Sequence, residues 1–269
     1  MNKQLAEILS DNNSGSVELL VKLCEYISQE ITTHEEFEDT VKLCNDKLSS
    51  FQIINSFVKN VKDDFERNGL VSAKKFSLEF TEKIIIKNDE VFEQCFESIR
   101  HVKSLLTISN STTIKEIIKK LHKYNPQLKV IALESRPKYE GRILAEELLK
   151  YHIFVTTAVD MAAGLLIKEV DAVFCGVDKI LSDFSVVNKI GSLQLALLCK
   201  EYSKPFYVLG YENKISAERN FISKENNSIE IWKYNDKYLT IKNYYFEVVP
   251  FKLITTIFTE KRSIKTKEM

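Results

Sequence analysis

The sequence predicts an α/β protein in which an N-terminal helical bundle precedes a Rossmann-like, doubly wound parallel sheet. Residues 1–100 contain two glycines and no proline, and their apolar residues recur at the spacing of amphipathic helices. Beyond residue 101, short β-branched apolar runs alternate with amphipathic stretches, which is the pattern of parallel βαβ units. We therefore predict a helical domain over 1–100 and a sheet domain over 101–269.

Apolar stripes and turn residues divide the first domain into helices. The stripes cover residues 20–31, 37–51 and 54–65, and a fourth helical run spans about 72–99. The polar residues 11–16 predict a loop before the first long helix. Asn68 and Gly69 predict a break before the fourth run.

The second half alternates strands and helices. Strands are predicted at 105–108, 129–133, 153–157, 172–175 and 205–209, with a last one at 245–248. Helices are predicted at 113–123, 142–151, 161–168 and 189–202. Residues 211–244 are polar and rich in Asn and Lys, which predicts a hairpin-like excursion before residues 246–259 close the fold. Ligands of such a sheet bind beyond the carboxyl ends of its strands.

Composition narrows the class of protein. The net charge is zero, but residues 1–100 carry 12 Lys and Arg against 19 Asp and Glu, and the remainder carries 26 against 19. This excess of positive charge favours phosphate-bearing ligands and is equally typical of a solvated surface. The five cysteines and four histidines are scattered without metal-ligand spacing, which indicates reduced core cysteines and no metal site. No membrane span or signal segment is recognisable, so we expect a cytoplasmic protein.

Hydroxyl and amide side chains follow the first predicted strand. Ser109, Asn110 and Ser111 lead into a helix, whose free backbone N–H groups and dipole favour an anion. The same residues also suit a simple helix cap. Both interpretations remain open for this segment.

Two further segments follow the second and fourth strands. Arg136 offers a planar fork of donors for phosphate, and Glu134 lies where dinucleotide-binding folds keep an acid for a ribose hydroxyl. The chain has no GxGxxG motif, so we expect no nicotinamide cofactor. Asp178 is a candidate general acid or base, and the alternative is an aspartate that caps a turn.

A fourth segment opens the next predicted helix. Asn188 and Lys189 are candidates to hold a phosphate or a sugar hydroxyl. For the lysine alone, a solvated surface position is the alternative.

Taken together, these four segments resemble the translation initiation factor 2B alpha/beta/delta family in order and spacing. The similarity extends through residues 204–208 and 246–255 and covers roughly residues 95–260. It implies one fold with two kinds of protein: isomerases of methylthioribose 1-phosphate or ribose 1,5-bisphosphate, and regulatory subunits of the exchange factor for initiation factor 2. The sheet domain would then serve for sugar-phosphate binding and dimerisation.

The resemblance also implies site residues. The isomerases use a cysteine after the first sheet strand and an aspartate in a Gly-x-Asp segment; here Asp178 matches the aspartate and Ser109 occupies the cysteine position. A serine hydroxyl without a base is a much poorer proton acceptor than a thiol. The helical domain also lacks the Gly- and Arg-rich phosphate loop of the isomerases, since Arg67 and Arg100 stand alone.

The sequence therefore favours a non-catalytic regulatory or binding subunit in translation initiation, with a residual sugar-phosphate or nucleotide pocket. The alternative is a sugar-phosphate aldose–ketose isomerase, in which Asp178 and Ser109 would be catalytic. In either case the expected ligand-binding residues are Asn110, Ser111, Arg136, Asn188 and Lys189, with no cofactor. We expect a homodimer or a larger even-order assembly, with initiation factor 2 or related subunits as further partners, and no direct contact with nucleic acid or membrane.

Overall fold

The computed structural model of the chain describes residues 2–11 and 14–266 and has a helical front packed against an α/β sheet. The front contains α1 (Lys3–Ser10), α2 (Ser16–Gln29), α3 (His34–Lys47) and α4 (Gln52–Ile99). Two of the predicted runs form one long helix, α4, which is interrupted at the predicted break by Gly69 with φ 81° and ψ −179°. Part of the predicted loop, residues 12 and 13, lies outside the described residues.

Local capping explains where α3 begins. The Thr33 hydroxyl accepts a hydrogen bond from the Glu36 N–H at 3.2 Å, and the Glu36 carboxylate accepts one from the Thr33 N–H at 3.1 Å. This reciprocal pair satisfies two donors that the first helical turn leaves free. The helix then buries Phe37, Val41 and Cys44 against the rest of the front.

The remaining elements alternate along the chain as predicted. The strands are β1 (Ser104–Thr107), β2 (Lys129–Leu133), β3 (Phe154–Ala158), β4 (Ala172–Cys175), β5 (Lys179–Ile180), β6 (Val186–Lys189), β7 (Phe206–Leu209), β8 (Phe246–Val249), β9 (Thr256–Phe258) and β10 (Ser263–Lys265). The helices are α5 (Thr112–Tyr124), α6 (Glu140–Leu149), α7 (Ala163–Leu166) and α8 (Ser192–Glu201).

The main sheet has the strand order β10-β9-β7-β4-β1-β2-β3. All of its strands are parallel except β10, which is antiparallel to β9. The chain moves outward from β1 first on one side and then on the other, which confirms the predicted doubly wound α/β fold. The carboxyl ends of β1 and β4 are neighbours, so the loops that follow them meet at one edge of the sheet.

Several sequence-based boundaries were wrong. Residues 186–189 form β6 in a separate antiparallel sheet with the order β5-β6-β8, so α8 begins at Ser192 and not at Lys189. The strand predicted at 245–248 exists as β8 but joins this small sheet, where its Glu247 pairs with Asn188.

The connecting segments also differ from the prediction. Residues 246–259, which were predicted to close the fold, form β8, a 3₁₀ turn at Phe251–Leu253 and β9. Residues 211–244 contain two 3₁₀ turns, one isolated bridge within the segment, Glu225 to Tyr244, and one from Ile215 to Ile180 outside it, and therefore form no regular hairpin. The helix predicted at 161–168 is the short α7 between two 3₁₀ turns.

One hydrophobic core joins the helical front to the sheet. Its members include Leu23 and Phe57 from the front and Phe174 and Tyr207 from the sheet. A second core packs β4 and β7 against α8 and the small sheet. The proposed division into two domains therefore stays a prediction, since the larger core belongs to both parts of the chain.

The cysteines belong to these cores. All five are free and buried, and burial raises the pKa of each thiol to about 12, so they stay protonated at neutral pH. Among the described residues, every helix is too short or too polar to serve as a transmembrane span.

Candidate active site

A small cavity lies where the loops after β1 and β4 meet the helical front. Its volume is about 60 Å³, and a void of about 30 Å³ adjoins it. The cavity is lined by Asp11, Ser14, Gly15, Ser16, Phe51, Ser109, Asn110, Glu140, Asp178, Lys189, Tyr245 and Phe246. The void shares Ser109, Asn110 and Asp178 and adds Ser111, Thr112, Gly176, Asn188 and Lys214.

A left-handed residue turns the chain from β1 into α5. Ser109 has a φ of 70°, and its N–H donates a hydrogen bond of 2.7 Å to the Ser135 hydroxyl. Ser111 then caps α5 by accepting from the Ile114 N–H at 3.4 Å. Between them, the buried Asn110 has a side-chain oxygen without a hydrogen-bond partner among the described residues.

Close packing fixes the loop after β4. A Cβ atom on Gly176 would lie 2.7 Å from the Ser111 hydroxyl, so the two loops touch at a point that has room only for glycine. Asp178 follows two residues later, and its N–H donates to the Val187 carbonyl at 3.0 Å. Its half-buried side chain lines both the cavity and the void.

Asn188 connects the loop after β4 to the start of α8. In the amide orientation that satisfies both of its atoms, Nδ2 donates to the Gly176 carbonyl at 3.2 Å. Oδ1 then accepts from the Lys189 N–H at 3.3 Å and the Ser192 hydroxyl at 2.9 Å. The amide thus lies at the predicted place, and its hydrogen bonds are already used by the protein.

Lys189 forms a buried ion pair that the sequence did not predict. Its ammonium contacts the Glu140 carboxylate and lies 4.9 Å from the centre of the Tyr245 ring. Burial raises the pKa of the Glu140 carboxyl, and the Lys189 charge opposes that shift. Glu140 reaches the cavity because α6 packs tightly on β2: a Cβ on Gly141 would overlap the Leu133 carbonyl oxygen.

Lys214 is a second buried lysine that sequence reasoning missed. It lies in a 3₁₀ turn after β7, where its ammonium donates to the Val177 carbonyl at 2.5 Å and lies 3.4 Å from the Ser16 hydroxyl. Burial lowers the pKa of Lys214, and the nearby Asp178 carboxylate opposes the shift. The surrounding segment is polar and typical of an exposed surface, so the sequence gives no indication that Lys214 is buried.

Arg136 does not converge with the other predicted ligand-binding residues. Its guanidinium lies over the Tyr139 ring at 4.8 Å, and its backbone N–H donates to the Asp160 carboxylate at 2.7 Å. It lines an open groove that faces Met161 instead of the cavity. Glu134 also lines this groove, where it pairs with Arg142 at 2.6 Å.

The cavity is surrounded by matched charges. Asp11 pairs with Lys22 at 2.9 Å, Glu140 pairs with Lys189, and Asp178 acts electrostatically on Lys214. Among the described residues that line it, no lysine faces the cavity without a carboxylate nearby. Such an arrangement can exchange protons with a bound molecule and is poorly suited to hold a bare anion.

Comparison with known proteins identifies the family. A sequence model described as the initiation factor 2 subunit family matches residues 4–266. The chain belongs to that family. The resemblance inferred from the four strand-end segments is therefore confirmed across nearly the whole chain.

Relatives within the family carry different names. The chain is 30% identical over 256 residues to a ribose 1,5-bisphosphate isomerase of Archaeoglobus fulgidus, covering 91% of this chain and 81% of that protein. It is 33% identical over 231 residues to a putative methylthioribose-1-phosphate isomerase of Methanocaldococcus jannaschii, covering 81% and 67%. A solved structure of the translation initiation factor eIF-2B from Pyrococcus horikoshii OT3 superposes with a TM-score of 0.84 at 25% identity, covering 99% of this chain and 98% of that one.

Proposed function

We propose that this initiation factor 2 family protein binds a phosphorylated sugar and interconverts its aldose and ketose forms. The sequence favoured a non-catalytic subunit, with an isomerase as the alternative. Similarity now supports the alternative better, because two relatives that align with 91% and 81% of the chain are named as sugar-phosphate isomerases. The substrate class is carried over from those names.

The observation that carries the proposal is the placement of Asp178 and Lys214 around adjoining cavities. Aldose–ketose isomerisation moves hydrogen between adjacent carbons, which requires a base near one carbon and an acid near the carbonyl oxygen. The Asp178 carboxylate suits the base. The Lys214 ammonium suits the acid, because burial lowers its pKa towards the working range.

Ser109 takes a different part in this scheme from the cysteine that the resemblance implies. Its hydroxyl lines the cavity beside Asp178 and can donate a hydrogen bond to a substrate oxygen. The proton transfers fall to Asp178 and Lys214. The start of α5, at Ser111 and Thr112, supports a phosphate through its free N–H groups.

The test is turnover of ribose 1,5-bisphosphate and methylthioribose 1-phosphate by the full chain. We expect conversion by the wild type and a loss of about 100-fold or more in Asp178→Asn. Asp183→Asn is the matched control, since Asp183 is exposed and an asparagine oxygen can still accept the hydrogen bond from Ser185 N–H. The absence of conversion of these and other aldose phosphates by the wild type would refute the proposal.

A second candidate is a regulatory subunit that binds its ligand without turnover. Ser109 at the cysteine position favours it, as does the 0.84 TM-score with the Pyrococcus horikoshii initiation factor structure. Under this candidate the wild type is inactive, and Ser109→Cys gains measurable isomerisation. It also binds purified initiation factor 2 of the same organism, which calorimetry can measure directly.

A further inference from the structure

Two buried oxygen atoms at the cavity have no hydrogen-bond partner among the described residues. They are Oε2 of Glu140 and Oδ1 of Asn110. Each residue is only 6% exposed, and both line the same cavity. Buried acceptors without partners are costly and rare in folded proteins, so a molecule that donates hydrogen bonds belongs at this place.

The charges nearby decide what kind of donor fits. A phosphate would meet the carboxylate of Glu140 and the lone pairs of Asn110, which repel it. An ammonium group would meet Lys189, whose charge already occupies the other oxygen of Glu140. A neutral hydroxyl group donates without either conflict.

The size of the cavity and the number of unpaired acceptors indicate which hydroxyl groups fit. The cavity of about 60 Å³ has room for a few water molecules or a small part of a ligand, and a complete sugar phosphate is larger. Two acceptors correspond to two hydroxyl groups. Adjacent hydroxyls on neighbouring carbons of a sugar present two donors within such a small space.

From this geometry we propose that Glu140 and Asn110 select the vicinal hydroxyl groups of the sugar and exclude its phosphate from this part of the site. The inference rests on the proposed function, since it describes how the same site recognises its substrate. The substrate class is a sugar phosphate with both hydroxyls free. Its phosphate then lies outside this cavity, towards the start of α5.

Calorimetric binding of ribose 5-phosphate and 2-deoxyribose 5-phosphate to the full chain tests the inference without any turnover. We expect the wild type to bind the ribose compound roughly 10- to 150-fold more tightly, the range for a hydrogen bond to a charged group. The preference falls towards one in Glu140→Gln or in Asn110→Ala, according to which acceptor faces the missing hydroxyl. Equal binding by the wild type means that water alone occupies the two acceptors, and overturns the inference.

Inorganic phosphate is a second probe, and we expect Glu140→Gln to strengthen its binding. Glu140→Gln removes the negative charge beside Lys189 and turns an amide donor towards the cavity. Phosphate should then bind at least about 10-fold more tightly than to the wild type, whereas the exposed control Glu146→Gln on the same helix should leave it unchanged. If Glu140 had only a structural role, Glu140→Gln would weaken the binding of both ribose 5-phosphate and inorganic phosphate. That result would overturn the inference.

The two proposals fail in different ways. If no aldose phosphate is converted but the hydroxyl preference is found, the isomerase proposal falls and the recognition stands. If turnover is found and the preference is absent, the recognition falls alone. Should Glu140→Gln fail to fold, the wild type still decides the question, because equal binding of the two sugar phosphates overturns the inference.

Discussion

The ammonium of Lys189 is neutralised by the carboxylate of Glu140, and both side chains are at least nine-tenths buried at the end of the cavity. This pairing changes the role that the sequence suggested for the lysine. A lysine at a helix start was expected to hold phosphate, but Lys189 ends a strand and already has an anionic partner. Its charge is available to a ligand only if Glu140 loses its own.

The ion pair predicts a large cost for removing the lysine. Lys189→Met leaves Glu140 buried without its partner, and breaking such pairs costs about 3–5 kcal/mol of unfolding free energy. Lys200→Met, on the exposed end of α8, should change it by less than about 0.5 kcal/mol. Urea unfolding at pH 7 measures both variants.

The pH dependence of this variant has a defined sign. Burial raises the pKa of Glu140 in the folded state, so its stabilising contribution is present in acid and is lost as pH rises through the folded pKa. Without Lys189 the pKa rises further. The loss of unfolding free energy caused by Lys189→Met should therefore become smaller as pH falls from 7 towards 4.5. A loss that does not depend on pH would contradict a charged Glu140.

Lys214 predicts a basic limb in the pH profile of turnover. Its ammonium supplies the proton in the proposed reaction, so the rate should fall as pH rises through its pKa, which burial lowers from the ordinary value. Lys214→Met should reduce the rate about 100-fold or more. Lys214→Arg keeps the positive charge but does not give up a proton, so its rate should stay about as low as that of Lys214→Met.

Lys179→Met is the matched control for that prediction. Lys179 is also buried and pairs with Glu218 at 2.9 Å, but it does not line the described cavity or void. Its loss should lower stability and leave the shape of the pH profile intact. If both lysine variants lose turnover alike, Lys214 has no special part in the reaction.

The sequence could predict the sheet and the place of the site because both depend on local patterns. Strand β2 has the predicted boundaries, since its apolar run is short, β-branched and flanked by turn residues. Parallel strands place their carboxyl ends at one edge, so Ser109 and Asp178 were expected to meet before any coordinates were known. Both line the cavity.

Other features depend on partners that are distant in the chain. Strand β6 forms because Val187 pairs with Val248, which is sixty-one positions further along. Tertiary packing places Glu140 at the cavity and Lys214 at the adjoining void, and it leaves no mark in their immediate sequence. Arg136 has the residue type of a phosphate ligand, but its contacts with Tyr139 and Asp160 hold it in a different groove.

The contact between Gly176 and Ser111 predicts that an added methyl group separates the two site loops. Gly176→Ala should cost about 1–3 kcal/mol, because the new Cβ meets the Ser111 side chain at 2.7 Å. Ligand affinity should fall with it, since α5 and Asp178 both move. Gly164→Ala is the control: a Cβ there meets nothing within 4 Å, so stability should be unchanged or slightly higher. Thermal unfolding with and without ribose 5-phosphate separates the two effects.

The structure points to a particular surface for the assembly that the sequence predicts. Within the apolar segment 246–258 that closes the fold, the buried residues pack in the chain's own core, as Ile254 and Ile257 do. Exposed apolar residues lie instead beside the edge strand β3, with Met161 79% and Leu165 75% exposed. An open sheet edge beside an apolar patch favours self-association.

We therefore expect light scattering at micromolar concentration to give the mass of a dimer or of a larger even-order assembly. Replacing both Met161 and Leu165 by Glu should shift the mass to that of a monomer. Each subunit of a symmetric dimer would bring two carboxylates to the contact, so four charges would be buried in the interface. Leu78→Glu is the control, since Leu78 is 52% exposed on α4, away from β3. A strictly monomeric wild type refutes the assembly, and a dimer that survives the double substitution must form through another surface.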